Sequence, residues 1–155
     1  KIPDHLNHTP IVKLENYETV DGKYENNSDA KGFSIGIAQW DKSENRKQLS
    51  AKVFRYDEQW SPQSEELPLH RVLDLASLIC SVIHEDKYGN FIDVKGLKPE
   101  ISNNDNELKN ILKNGLNDER EHIRKSFDNL ASIILKTLSE DFNNKELGLI
   151  NDKND

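Results

Sequence analysis

Lys31-Gly32-Phe33-Ser34-Ile35-Gly36-Ile37-Ala38-Gln39-Trp40 is the stretch on which the fold turns. Phe33, Ile35 and Ile37 alternate with Ser34, Gly36 and Ala38, a period of two that puts apolar residues on one face of a strand and small ones on the other. After the polar turn Asp41 to Lys47, Leu49, Ala51 and Val53 alternate with Lys52, Phe54 and Tyr56. The spacing therefore predicts an antiparallel hairpin. Its second face would gather the small residues beside Trp40, Lys52, Phe54 and Tyr56.

Upstream, Ile11-Val12-Lys13-Leu14 would add a strand, and Asp21 to Lys31 reads as a loop. Downstream, Pro68 and the glutamates Glu65 and Glu66 suit the first turn of a helix, where acidic groups meet the positive end of the dipole. Leu69, Val72, Leu73, Ala76, Ile79, Cys80 and Ile83 then recur at three- and four-residue spacing, with Leu75, Leu78 and Val82 as a second stripe. The pattern predicts a helix buried on most sides. Phe91-Ile92-Asp93-Val94 reads as a short strand, and a boundary falls near Asn103. Leu108, Ile111 and Leu112 predict a short helix ending near Gly115, and Ile123, Phe127, Leu130, Ile134 and Leu138 a longer one. The expectation is an α+β fold in three parts: a small antiparallel sheet with its buried helix over residues 1–102, a helical hairpin over 103–142, and a polar tail over 143–155.

With 155 residues, 34% of them hydrophobic and 32% charged, the chain has the length of one domain and a modest core. Its net charge of −7 disfavours diffuse attraction to nucleic acid, whose affinity derives from counterions released by Lys and Arg. One cysteine, Cys80, allows no internal disulfide and fits a reducing, cytoplasmic setting. No apolar run is long enough to span a membrane. The abundance of Asn, Lys and Ile suggests a bacterial or phage source.

Chemistry-bearing motifs are sparse. The histidines His5, His8, His70, His84 and His122 show no metal-ligand pair on a helix, and His5 and His8 read as solvated side chains. No metal or other cofactor is expected. Glu85, Asp86, Asp93 and Lys95 have poor spacing for a metal nuclease core. No Gly-x-Ser-x-Gly elbow or reactive-cysteine setting is read as marking a nucleophile, so the reading leans to a non-enzymatic chain, with a divergent enzyme as the residual alternative. Arg71 and Asp74 read as a surface ion pair, and His70 with Arg71 also as a polar cluster reaching toward a ligand held by the Trp60 loop.

The most basic stretch of this acidic chain, Lys42, Arg46, Lys47, Lys52 and Arg55, coincides with Trp40, Phe54, Tyr56 and Trp60. Rings that stack bases beside cations that meet phosphates are how single-stranded nucleic acid is held. Trp40, Lys52, Phe54, Arg55, Tyr56, Trp60 and Arg71 are thus the candidate binding residues for single-stranded DNA or RNA. The competing reading has the same rings covered by the C-terminal helices. The amphipathic helices need a cover in any case, which suggests a homodimer. In a further reading, the acidic surface makes the chain an interaction or inhibitor module, of a phage or defence kind, engaging a basic protein.

Asp29-Ala30-Lys31 through Trp40, followed by Trp60-Ser61-Pro62-Gln63-Ser64-Glu65-Glu66-Leu67-Pro68-Leu69-His70-Arg71, resembles an uncharacterised bacterial family of small proteins, over about residues 1–84. That resemblance implies no residue roles. The order of two strands, Trp60-Ser61-Pro62 loop and apolar helix over about residues 32–84 is also similar to the transcriptional-coactivator-like single-stranded DNA-binding fold, which implies a curved sheet and a dimer-forming helix.

Overall fold

A computed structural model describes residues 1–3, 6–101 and 106–146. His5, the boundary at Asn103 and the tail beyond residue 146 lie outside the described residues. The chain forms two compact units, Lys1–Glu100 and Ile101–Asp155.

The first unit is an antiparallel sheet followed by a helix. Strands β1 (Thr9–Glu15), β2 (Ala30–Ile37), β3 (Leu49–Asp57) and β4 (Gln59–Trp60) lie in that order, and β5 (Glu66–Pro68) pairs with β3. In the central hairpin Ile37 faces Leu49, Gly36 faces Ser50, Ser34 faces Lys52 and Ala30 faces Arg55. The two predicted strands are thus present, joined antiparallel as their alternation requires. Phe91–Val94 is not a strand. Val94 and Leu97 instead close a two-residue turn over Lys95 and Gly96, both at positive φ, which is the hand that tight β-turns of this kind need. Ser81 ties that turn to the helix, its hydroxyl donating to Ile92 O at 2.6 Å and accepting from Ile92 N at 2.9 Å.

The two faces of the hairpin are unequally buried, and the ordering is unexpected. Phe33, Ile35 and Ile37 are half-buried, whereas Gly32, Ser34, Gly36, Ser50, Lys52 and Phe54 are fully buried. The small residues admit a close cover: a Cβ on Gly32 would lie 2.3 Å from Leu14 O and 2.8 Å from Ile2 Cδ1, and one on Gly36 would lie 2.1 Å from Thr9 O and 2.8 Å from His8 Nε2. The N-terminal segment therefore seats Ile2 and His8 against this face, both buried.

Helix α1 (Leu69–Tyr88) ends at Gly89, whose left-handed φ of 78° lets its N–H reach Glu85 O at 2.7 Å. It is not buried on most sides as its two stripes suggest. Ala76, Cys80 and Ile83 are half-buried, but Leu73, Leu75, Leu78 and Ile79 are exposed. The exposed side chains come from both stripes, Val72, Leu73 and Ile79 from the first and Leu75 and Leu78 from the second.

In the second unit α2 (Asn106–Asp118) and α3 (Arg120–Glu146) do not form the expected hairpin. Only Glu119 separates them, and the helical i→i−4 bonds continue across it, from Glu119 N to Gly115 O and from Ile123 N to Glu119 O, each at 3.0 Å. Reversing a helix takes a loop of two or more residues. Gly115 sits inside α2 rather than capping it, and α3 runs past the expected limit of residue 142. Ile133, Ile134, Leu135 and Leu138 are exposed along it.

Candidate functional site

Beneath the N-terminal segment the sheet holds a buried polar array. Glu66 on β5 is its centre: Oε1 accepts from the Ser50 hydroxyl at 2.6 Å and from Gln39 N–H at 2.9 Å, and lies 3.1 Å from His8 Nδ1. Lys52 Nζ stands 3.6 Å from Glu66 Oε2 and donates to Ser64 O at 3.1 Å. On the far side of the ring, His8 Nε2 is 2.7 Å from Ser34 Oγ. The Glu66 side chain is only 1% exposed. Burial by itself would raise its carboxyl, but hydrogen bonds from Ser50, Gln39 N–H and His8 outweigh this and hold it below the usual glutamate range. An ionised carboxylate only accepts, so Nδ1 of His8 carries hydrogen, and in the neutral ring Nε2 accepts from Ser34.

Ser34, His8 and Glu66 are thus linked in the order of a hydrolytic triad, and Gly32-Phe33-Ser34-Ile35-Gly36 has the Gly-x-Ser-x-Gly spacing that the strand reading passed over. The setting differs from a nucleophile elbow in three respects. Ser34 lies in mid-strand, paired to both Lys13 and Lys52, without positive φ. It is buried. The segment that covers it also carries His8, so lifting the cover would remove the base. The two glycines serve the close approach of β1 and Ile2, and the array as built holds the N-terminal segment to the sheet.

At the Trp40 end of the hairpin a cleft of about 890 Å³ opens, lined by Trp40, Ser43, Arg46, Lys47, Gln48, Leu49, Glu66, Pro68, His70 and Arg71. Asp41 shapes its loop: one carboxylate oxygen accepts from Ser43 N at 2.9 Å and the other from Gln48 N at 3.2 Å. Trp40 is 39% exposed, and its indole N–H donates to Gln48 Oε1 at 2.9 Å. Asp74 pairs with Lys95 at 2.7 Å and not with Arg71. Among the described residues Arg46 and Arg71 have no acidic partner, while Lys47 lies 3.9 Å from Asp41. A ring, two uncompensated guanidinium groups and His70 suit an anion that carries a stacking group.

The structure separates the seven predicted residues. Trp40 and Arg71 meet in this cleft. Phe54 is 0% exposed, its ring against His8, and Lys52 is 2% exposed beside Glu66, so neither forms part of an open face. Arg55 is bidentate to Glu65 and bonded to Asp29 at 2.7 Å. The Glu65 hydrogen bond chiefly raises its guanidinium above the ordinary value, and the same bond lowers Glu65. Tyr56 and Trp60 stack edge-on, centroids 5.2 Å apart, beside a smaller cleft of about 340 Å³ that Glu15, Glu18 and Lys31 also line. Tyr56, which lines that cleft, stands seven residues along β3 from Leu49, which lines the Trp40 cleft, or roughly 23 Å at strand rise. His70 and Arg71 therefore reach the Trp40 loop, not the Trp60 loop. Sequence reasoning missed His8, Ser34, Asp41, Ser50 and Glu66; the available signal was Ser34 and Ser50, polar positions on otherwise small-residue strand faces.

Among the described residues no group of three His, Cys, Asp or Glu could hold a metal ion, and no helix is long and apolar enough to cross a membrane. A family model described as a family of unknown function matches residues 1–140, well beyond the 1–84 of the expected resemblance. No curated protein and no solved structure matches.

Proposed function

We propose that this chain, which belongs to the family of unknown function DUF6530, is a non-enzymatic binding protein that takes single-stranded nucleic acid in the Trp40 cleft. The observation that carries this is the convergence of an exposed indole with Arg46, Arg71 and His70 in one cleft, with no acidic partner on either arginine among the described residues. A stacked base is worth roughly 1–3 kcal/mol, and each phosphate met by a cation adds a salt-dependent increment. With Phe54 and Lys52 buried and Tyr56 and Trp60 at the other end, the footprint is short. A cleft of this size lies in the range that encloses a small ligand, so it would hold one or two nucleotides. The net charge of −7 opposes approach, which confines binding to this local reversal of sign.

A salt titration of fluorescence anisotropy with single-stranded DNA and RNA oligonucleotides, alongside Trp emission, tests the reading. Saturable binding that quenches Trp is expected. Trp40→Ala should weaken it by about tenfold, from the loss of one stack. Arg71→Ala should flatten the salt slope by about 0.7, one phosphate contact on a single strand, and Tyr56→Ala should change neither. No saturable binding at low salt would overturn it. A second reading, an interaction module engaging a basic protein, is supported by the exposed Leu73, Leu75, Leu78 and Ile79 of α1 beside the acidic net charge. In either reading those side chains offer a surface to a second copy.

A further inference from the structure

We infer that His8 is a positioning residue for the Trp40 cleft, acting through Glu66, so that the seating of the N-terminal segment on the sheet sets how tightly the cleft binds. The binding half of this inference rests on the function proposed above; the positioning half stands on geometry alone.

One carboxylate joins three walls of the cleft. Glu66 Oε1 accepts from the backbone N–H of Gln39, the residue before Trp40, and from Ser50, the residue after Leu49. Glu66 itself opens β5, which runs directly into α1 and thus into His70 and Arg71. The fourth partner of the array, His8, comes from the N-terminal segment and is 0% exposed. Its ring is fixed on both sides, by Glu66 at Nδ1 and by Ser34 at Nε2, with its edge toward Phe54 at a centroid separation of 5.9 Å. A carboxylate hydrogen-bonded on one side by His8 and Ser50 has little rotational freedom, and the Gln39 N–H it receives is placed accordingly. Removing the imidazole frees Glu66 to turn toward Lys52, 3.6 Å from its other oxygen. That turn would release Gln39 and with it the indole.

The coupling is reciprocal, as any linkage between two binding events must be. Occupancy of the cleft should hold the segment down, and a seated segment should hold the cleft in shape.

The experiment uses the full chain with His8→Ala and His8→Gln, under conditions where urea titration shows each variant folded. The first readout needs no ligand: amide exchange at Gln39 and the indole N–H resonance of Trp40, assigned by comparison with Trp40→Phe. In His8→Ala the Gln39 amide should exchange faster and the Trp40 resonance should move. His8→Gln, whose side-chain N–H can still donate to Glu66, should restore both in large part. The second readout is anisotropy with a single-stranded oligonucleotide, where His8→Ala should bind about tenfold more weakly, the order expected for one lost hydrogen bond to a charged group. A folded His8→Ala chain with native Gln39 exchange and a native Trp40 resonance would overturn the inference, because a role in stability alone moves neither. If the native chain binds no oligonucleotide while the first readout changes as expected, the proposed ligand is wrong and the positioning role stands. Should His8→Ala not fold, His8→Leu, which fills the site but cannot donate to Glu66, takes its place: faster Gln39 exchange and weaker binding than in His8→Gln support the inference, and native values of both overturn it.

Discussion

Glu66→Ala is expected to destabilise the Lys1–Glu100 unit by about 3–5 kcal/mol, the range for breaking a buried ion pair by deleting one partner. The substitution leaves the Lys52 ammonium 1% exposed with only Ser64 O to satisfy it, and takes the acceptor from Ser50, His8 and Gln39 N–H together. Much of a small domain's whole stability is of that size, so the variant should be largely unfolded in the sheet by urea titration. Pairing it with Lys52→Met should return most of the loss, since replacing both ions with apolar groups removes the uncompensated charge. The pH dependence follows from the direction of the Glu66 shift. Its folded carboxyl lies below the ordinary value of 4.5, so the unfolded chain binds the proton more readily. The contribution is therefore present in full above that ordinary value and is lost as the pH falls through the folded one. Urea midpoints of the native chain and of Glu66→Gln should converge on acidification; a constant separation would mean that the charge on Glu66 is not what stabilises the sheet.

The residues of this array show where sequence reading stops. The central hairpin was legible because its signal is local: Phe33, Ile35 and Ile37 declare a strand over five residues, and the stripe from Leu69 to Ile83 declares a helix in the same way. Glu66 carries no such signal. It reads as a helix-dipole glutamate ahead of Pro68, but a three-residue strand is too short to show a period, and its pairing with Ser50–Lys52 is a tertiary fact. His8 is farther from inference still, since its partners Ser34 and Glu66 lie 26 and 58 residues away in sequence. What could have pointed to it was the face itself: Gly32, Ser34, Gly36 and Ala38 leave a shallow strip that only a closely approaching backbone fills, and Ser50 and Lys52 place polar groups in register beside it. The open aromatic platform failed for the same reason, because the small residues that would flank it admit the N-terminal segment instead. Of the candidate binding residues, Trp40 and Arg71 do share a cleft, but the sequence placed Arg71 beside the Trp60 loop and paired it with Asp74, which bonds Lys95 instead. The apolar stripes of α2 and α3 were legible, but a stripe says nothing of reversal at Glu119.

Gly36→Ala should be the most damaging single-methyl change in the sheet, costing about 3 kcal/mol, the upper end of the range for overpacking. The added Cβ would stand 2.1 Å from Thr9 O, a backbone atom that cannot swing aside, and 2.8 Å from His8 Nε2. Relief requires β1 to move off β2 just where Pro10 faces Gly36, and the movement would carry His8 out of its place between Ser34 and Glu66. Every polar group of the array survives this substitution, so a loss in urea midpoint reports geometry and not chemistry. Gly115→Ala supplies the contrast. Gly115 lies within α2 with nothing inside 4 Å of the added methyl, and alanine there should stabilise the helix by roughly 0.5–1 kcal/mol. If Gly36→Ala left the midpoint unchanged, β1 would not be seated as closely on β2 as the array requires. If instead it lowered the midpoint and speeded amide exchange from Thr9 to Glu15, the N-terminal segment would be established as part of the sheet's own stability, which is the condition for His8 to act on the cleft at all.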